Sequence, residues 1–111
     1  MDEQLLKGHL PVLVLGIIEE APVHGYALAK EIKRRGGRLL KMGEGTLYPL
    51  LYRLESQGLI ASAWEIGPTG RDRKVYRITR AGRRRIAEGR ADWLRLCDLM
   101  REFLGEEWQT T

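Results

Sequence analysis

Apolar residues fall at Leu10, Leu13, Val14, Ile17 and Ile18, the i, i+3, i+4, i+7, i+8 spacing of a single helical face. The pattern predicts a helix over about 9–20, with Pro11 in its first turn, where a missing N–H costs nothing, and Pro22 closing it. Val12 and Leu15 lie off that stripe and are also apolar, so this helix is expected to touch something besides its own domain. A second helix reads from His24 to about Arg35, with Leu28, Ala29 and Ile32 inward and Gly36-Gly37 ending it. A third begins after Gly43-Glu44-Gly45-Thr46 and runs to Gln57, where Gly58 stops it. At about 100° per residue, Leu47, Leu50, Leu51 and Leu54 share one arc of this helix, while Tyr48, Pro49, Tyr52, Arg53 and Ser56 spread over the other side.

The period then shortens to two. Segments Leu59–Ile66 and Arg73–Thr79 are joined by the turn-rich stretch 67–72, and Lys74, Tyr76 and Ile78 alternate with Val75, Arg77 and Thr79, as in a hairpin with a basic tip. Thr79 caps a long helix through about Leu104, in which Ile86, Trp93 and Met100 recur every seven residues with Leu96 and Phe103 three further on. That is the spacing of a helix seam, interrupted at Gly89, and it motivates a dimer. The expected fold is mostly α (α+β): a winged helix-turn-helix domain over 1–79, then a C-terminal dimerisation helix and tail over 80–111. In such a fold the third helix enters the major groove of DNA and the hairpin tip reaches the adjoining backbone. The order of elements alone also suits an unrelated small bundle.

Composition narrows the choice of function. A chain of 111 residues is one domain's worth and excludes a large catalytic scaffold; 43% hydrophobic and 31% charged residues mark it as folded rather than disordered. One cysteine, Cys97, allows no internal disulfide, and two distant histidines form no zinc-ligand cluster. The run Leu10–Ile18 falls short of the roughly 20 residues a bilayer span needs, and no charged leader precedes it, so no membrane association and a cytoplasmic location are expected. Paired carboxylates, nucleophile–base spacing and metal sets are all missing, and Gly43-Glu44-Gly45-Thr46 lacks the Gly-Lys-Ser/Thr of a nucleotide loop, so the chain reads as no enzyme and as needing no cofactor. The net charge of +4 hides an asymmetry: residues 71–90 carry nine basic against two acidic side chains, while 1–70 are balanced and 91–111 are acidic. Two readings stand, a polyanionic partner or a solvated arginine-rich helix start.

Several ordered motifs resemble the PadR-type transcriptional regulators: His24-Gly25-Tyr26, the run Gly45-Thr46-Leu47-Tyr48-Pro49-Leu50-Leu51-Tyr52-Arg53-Leu54-Glu55, Gly58-Leu59-Ile60, Trp64, the run Arg73-Lys74-Val75-Tyr76-Arg77-Ile78-Thr79, and Ala81-Gly82. The resemblance spans roughly residues 5–104. It implies a dimeric DNA-binding regulator, usually a repressor, whose C-terminal helix forms most of the dimer interface. With one helix after the hairpin, the chain is similar to the short-form subgroup. In multidrug-binding members of that subgroup a tryptophan of this helix helps form a flat pocket at the dimer interface; Trp93 resembles it, which implies a small planar, aromatic or cationic effector.

The candidate double-stranded DNA contacts are Thr46, Tyr48, Pro49, Tyr52 and Arg53 on the third helix and Arg71, Arg73 and Lys74 at the wing, with Arg77 weaker. For Tyr48 and Tyr52, packing against neighbouring helices is the competing reading. Glu55 would repel DNA and is expected to be a local ion-pair partner, and His9 and His24 are expected to cap helices. The candidate dimer interface comprises Leu10, Leu13, Ile86, Trp93, Leu96, Met100 and Phe103. A near-palindromic operator bound by a homodimer is the leading expectation; a winged-helix protein–protein module without DNA is the alternative.

Overall fold

The computed structural model describes residues 3–106; the tail 107–111 of the expected C-terminal unit lies outside the described residues. Five helices and three strands follow one another as α1 (Glu3–Lys7), α2 (Leu10–Glu20), β1 (Val23–His24), α3 (Gly25–Gly36), α4 (Glu44–Ser56), β2 (Ile60–Ile66), β3 (Asp72–Ile78) and α5 (Arg80–Leu104). The strands form one antiparallel sheet in the order β1-β3-β2, with Val23 opposite Tyr76 and Ile60 opposite Ile78. This is the expected winged helix-turn-helix with a long C-terminal helix.

Two elements have no counterpart in the sequence reading. α1 is a single turn, and β1 is two residues whose pairing is made across more than fifty positions of chain, so neither carries a periodic signal of its own. His24 is therefore strand end and helix cap at once: its Nδ1 accepts a hydrogen bond from the Ala27 N–H at 3.4 Å. His9 also precedes a helix, α2, but makes no side-chain cap. α4 starts at Glu44, three residues earlier than the sequence reading places it, with Gly43 as its N-cap.

The core gathers Val14, Leu15 and Ile18 of α2, Leu28 and Ile32 of α3, the four leucines of α4, Ile60, Tyr76, and Ile86 of α5. α2 lies at the centre, packed against α3, β3 and α5. Its surplus of apolar surface is thus covered inside the protomer: Leu15, off the predicted stripe, is fully buried, and Val12 meets Gly89 of α5, where a Cβ would fall 2.8 Å from a valine methyl. Leu13, on the stripe, is left exposed.

α5 is fastened where it begins. The Thr79 hydroxyl accepts from the Gly82 N–H at 3.1 Å and donates to the Gly58 carbonyl at 2.6 Å, closing the helix onto the end of α4. Gly82 comes so near the start of β2 that a Cβ would stand 2.1 Å from the Leu59 carbonyl oxygen. One turn later Ile86 enters the core, so the packed unit continues past residue 79. Beyond Gly89 the helix leaves the body of the protein, which measures 55 × 29 × 21 Å overall. Among the described residues, no helix is long and apolar enough to cross a membrane.

Candidate nucleic-acid interface

The spacing of leucines in α4 dictates its orientation. Leu47, Leu50, Leu51 and Leu54 are all buried, which turns Thr46, Tyr48, Pro49, Tyr52 and Arg53 outward. The structure separates the two tyrosines. Tyr48 is partly packed: its ring lies over Gly25, where an added Cβ would approach the phenol oxygen to 3.0 Å. Tyr52 is 75% exposed and stands free.

Across from this face lies the hairpin, and between them runs a groove of about 500 Å³ lined by Tyr48, Tyr52 and Glu55 of α4, His24, Gly25 and Tyr26 at the head of α3, and Trp64, Arg73, Lys74 and Tyr76 of the sheet. The register explains the far wall: Trp64 is opposite Lys74 and Ser62 is opposite Tyr76, so alternation puts all four on the side facing α4. Burial, then the Glu55 charge and Tyr48, raise the Tyr76 phenol above its ordinary value of 10.0, so it remains a neutral hydrogen-bonding group near neutral pH.

The wing turn is built by its own residues. Gly70 N–H donates to the Gly67 carbonyl at 3.0 Å, Gly67 N–H donates to the Arg71 carbonyl at 2.8 Å, and Gly70 adopts φ +81, a left-handed backbone that glycine takes without steric cost. Arg71 is exposed beside this turn. Arg73 is half-buried; its Nε is enclosed without a hydrogen-bond partner. Lys74, a candidate phosphate contact, has partners within the protomer: its Nζ lies 3.7 Å from Glu55 Oε1 and 5.8 Å above the Tyr76 ring. Arg77 is held at 2.8 Å by Glu65 on the opposite face of the sheet. The expectation of Glu55 as a local ion-pair partner thus agrees with its position.

Tyr26, Trp64 and Ser62 were not assigned to this face from sequence, although a signal existed for the site they share. Tyr48, Tyr52 and Glu55 follow i, i+4, i+7 spacing and so mark one face of α4, and Ser62, Trp64 and Ile66 alternate along β2. What linked the two patterns was the strand register, which sequence does not display.

A second surface lies on α5. Trp93, Leu96, Met100 and Phe103 of the expected seam are exposed, with Leu94, Leu99 and Leu104 beside them, and five of these residues line an apolar hollow of about 290 Å³. One member of the expected interface lies elsewhere, and another is turned partly inward. Ile86 is only 4% exposed and lies in the protomer's own core, because the first turns of α5 pack on α2; Leu10 is partly buried against the same core.

Residues 14–88 match the model of the transcriptional regulator PadR-like family. A transcriptional regulator of Mycobacterium tuberculosis is 44% identical, over 79% of this chain and 76% of its own length. The crystal structure of a PadR family transcriptional regulator from Eggerthella lenta superposes with a TM-score of 0.78 at 43% identity, covering 93% of this chain and 88% of that one. The negative transcriptional regulator PadR of Bacillus subtilis is 26% identical over 77% of this chain and 44% of its own, longer length. With the helix order, the wing and the α4 face all in the places that the shared motifs imply, this chain belongs to the PadR-like family of transcriptional regulators, a family of regulators and not of enzymes.

Proposed function

We propose that the protein binds a near-palindromic duplex DNA site as a homodimer and represses transcription from it. The observation that carries this reading is the pairing of an outward tyrosine and arginine face on α4 with a basic wing across one groove. α4 would enter the major groove with Thr46, Tyr52 and Arg53 foremost and Tyr48 and Pro49 at its flank, while Arg71 and Arg73 reach phosphates of the adjoining backbone. Two such units related by a two-fold axis would meet half-sites about 34–36 Å apart. Support for the dimer comes from the exposed row Trp93, Leu96, Met100 and Phe103 on α5 and from the exposed Leu13 of α2. Repression rests on the likeness to the Bacillus subtilis negative regulator. Trp93, 59% exposed on the same row, is where a planar effector would stack between the two copies and shift their relative orientation.

Fluorescence anisotropy on a duplex from the region upstream of the protein's own gene tests the reading. Affinity should fall steeply with salt, and Arg71→Ala with Arg73→Ala should flatten the slope of log affinity against log salt by up to about 0.9 for each phosphate no longer neutralised. Salt-insensitive binding, or none to any duplex, overturns it and leaves the protein–protein module standing.

A further inference from the structure

A carboxylate on the wall of a groove meant for phosphates is an electrostatic liability, yet Glu55 stands there between Tyr52 and the hairpin. Both of its oxygens are committed. Oε2 accepts from the Ser62 hydroxyl of β2 at 2.7 Å, and Oε1 lies 3.7 Å from the Lys74 ammonium of β3. Glu55 therefore spans from the last turns of α4 to both strands of the wing. The Tyr76 ring, 5.8 Å from Nζ, provides a second attractive surface for the same ammonium.

Resting on the DNA-binding reading above, we propose that Glu55 is a positioning residue that holds Lys74 back from the DNA backbone and thereby sets how well the protein tells its operator from other DNA. Affinity for arbitrary duplex comes almost wholly from cations that neutralise phosphates and release counterions, whereas base contacts add only at the correct site. A wing cation whose charge is met by the protein's own carboxylate adds little to the first and leaves the second intact. Arg71, exposed at the tip, and the half-buried Arg73 beside it then supply the wing's phosphate contacts.

The test compares wild type, Glu55→Gln, Lys74→Gln and the double variant on an upstream-region duplex and on a random duplex of equal length, by anisotropy over a salt series. Glutamine keeps an oxygen that can accept from Ser62 and removes only the charge. Glu55→Gln should steepen the salt slope by about 0.9 per protomer, one more phosphate neutralised, and strengthen random-duplex binding more than operator binding, so that the specificity ratio falls. Lys74→Gln alone should leave the slope unchanged, and the double variant should return to the wild-type slope.

The proposal is overturned if Lys74→Gln alone flattens the slope by about 0.9 per protomer, since Lys74 would then already sit on phosphate. It is equally overturned if Glu55→Gln weakens binding to both duplexes with an unaltered slope, the result of a merely structural role. Should Glu55→Gln fail to fold by thermal melting, Lys74→Gln decides alone, an unchanged slope supporting the proposal and a flattened one ending it. A wild type with no salt-dependent binding sinks the DNA reading itself, an outcome distinct from all of these.

Discussion

One heptad series, Ile86, Trp93 and Met100, runs through both halves of α5, and the two halves have opposite fates. From Arg80 to Gly89 the helix is fastened: Thr79 caps it, Gly82 presses on the Leu59 carbonyl, Ile86 fills the core and Gly89 admits Val12. From Trp93 to Leu104 a much denser set of large apolar side chains lies uncovered, and Phe103 is 79% exposed. Small residues make the difference. Glycines at 82 and 89 let the helix backbone approach the start of β2 and α2 within contact distance, whereas the later turns carry bulky side chains with nothing opposite them among the described residues. A heptad-like spacing says that a face will be covered, not by what.

The sharpest way to break this contrast is in the fastened half. Gly82→Ala would drive a methyl into a backbone oxygen that cannot swing aside, so urea denaturation should show a loss of at least about 3 kcal/mol. In the bare half, Met100→Glu or Phe103→Glu should leave the melting temperature of the protomer nearly unchanged. If these residues form an interface, light scattering should show the dimer weakened by about 30-fold or more, the equivalent of a hot-spot loss near 2 kcal/mol. Equal destabilisation of both halves would erase the distinction. Thr79→Ala removes a helix cap and the donor to the Gly58 carbonyl, and should cost about 1–2 kcal/mol without altering the oligomer.

The smallest effect concerns an ion pair remote from both halves. Glu20 is held below its ordinary value of 4.5, first by its hydrogen bonds from Arg35, which tie the end of α2 to the end of α3. A lowered carboxyl contributes stability above pH 4.5 that is lost as pH falls through its folded value. The pair is solvent-exposed, so Glu20→Gln should change the melting temperature only slightly at neutral pH and leave the acid limb of the stability curve a little flatter.

Much of the architecture was legible in advance because it rests on local periodicity. The four leucines of α4 mark its buried arc, and the alternation through β3 marks the wing. Where the reading of packing failed, the missing quantity was a distance between segments. Leu15 looked like an outward residue because a single stripe assumes a single neighbour, while α2 has three. Ile86 looked like a seam residue because it shares a heptad with Trp93 and Met100, although it lies on the packed side of Gly89. The pairing of Lys74 with Glu55 was invisible because the two are nineteen positions apart along the chain and 3.7 Å apart in space.

Side-chain period, turn chemistry and capping residues are properties of short stretches, and they suffice to specify the order of helices and strands, the tyrosine-bearing face of α4 and the family motifs. Which of those faces meet one another is a property of the folded chain. The pairing of β1 with β3, the bridge from Glu55 to Ser62 and Lys74, and the burial of one half of α5 but not the other all depend on how closely backbones approach across long separations. That approach is governed by excluded volume at a few glycines and by strand register, neither of which leaves a local imprint.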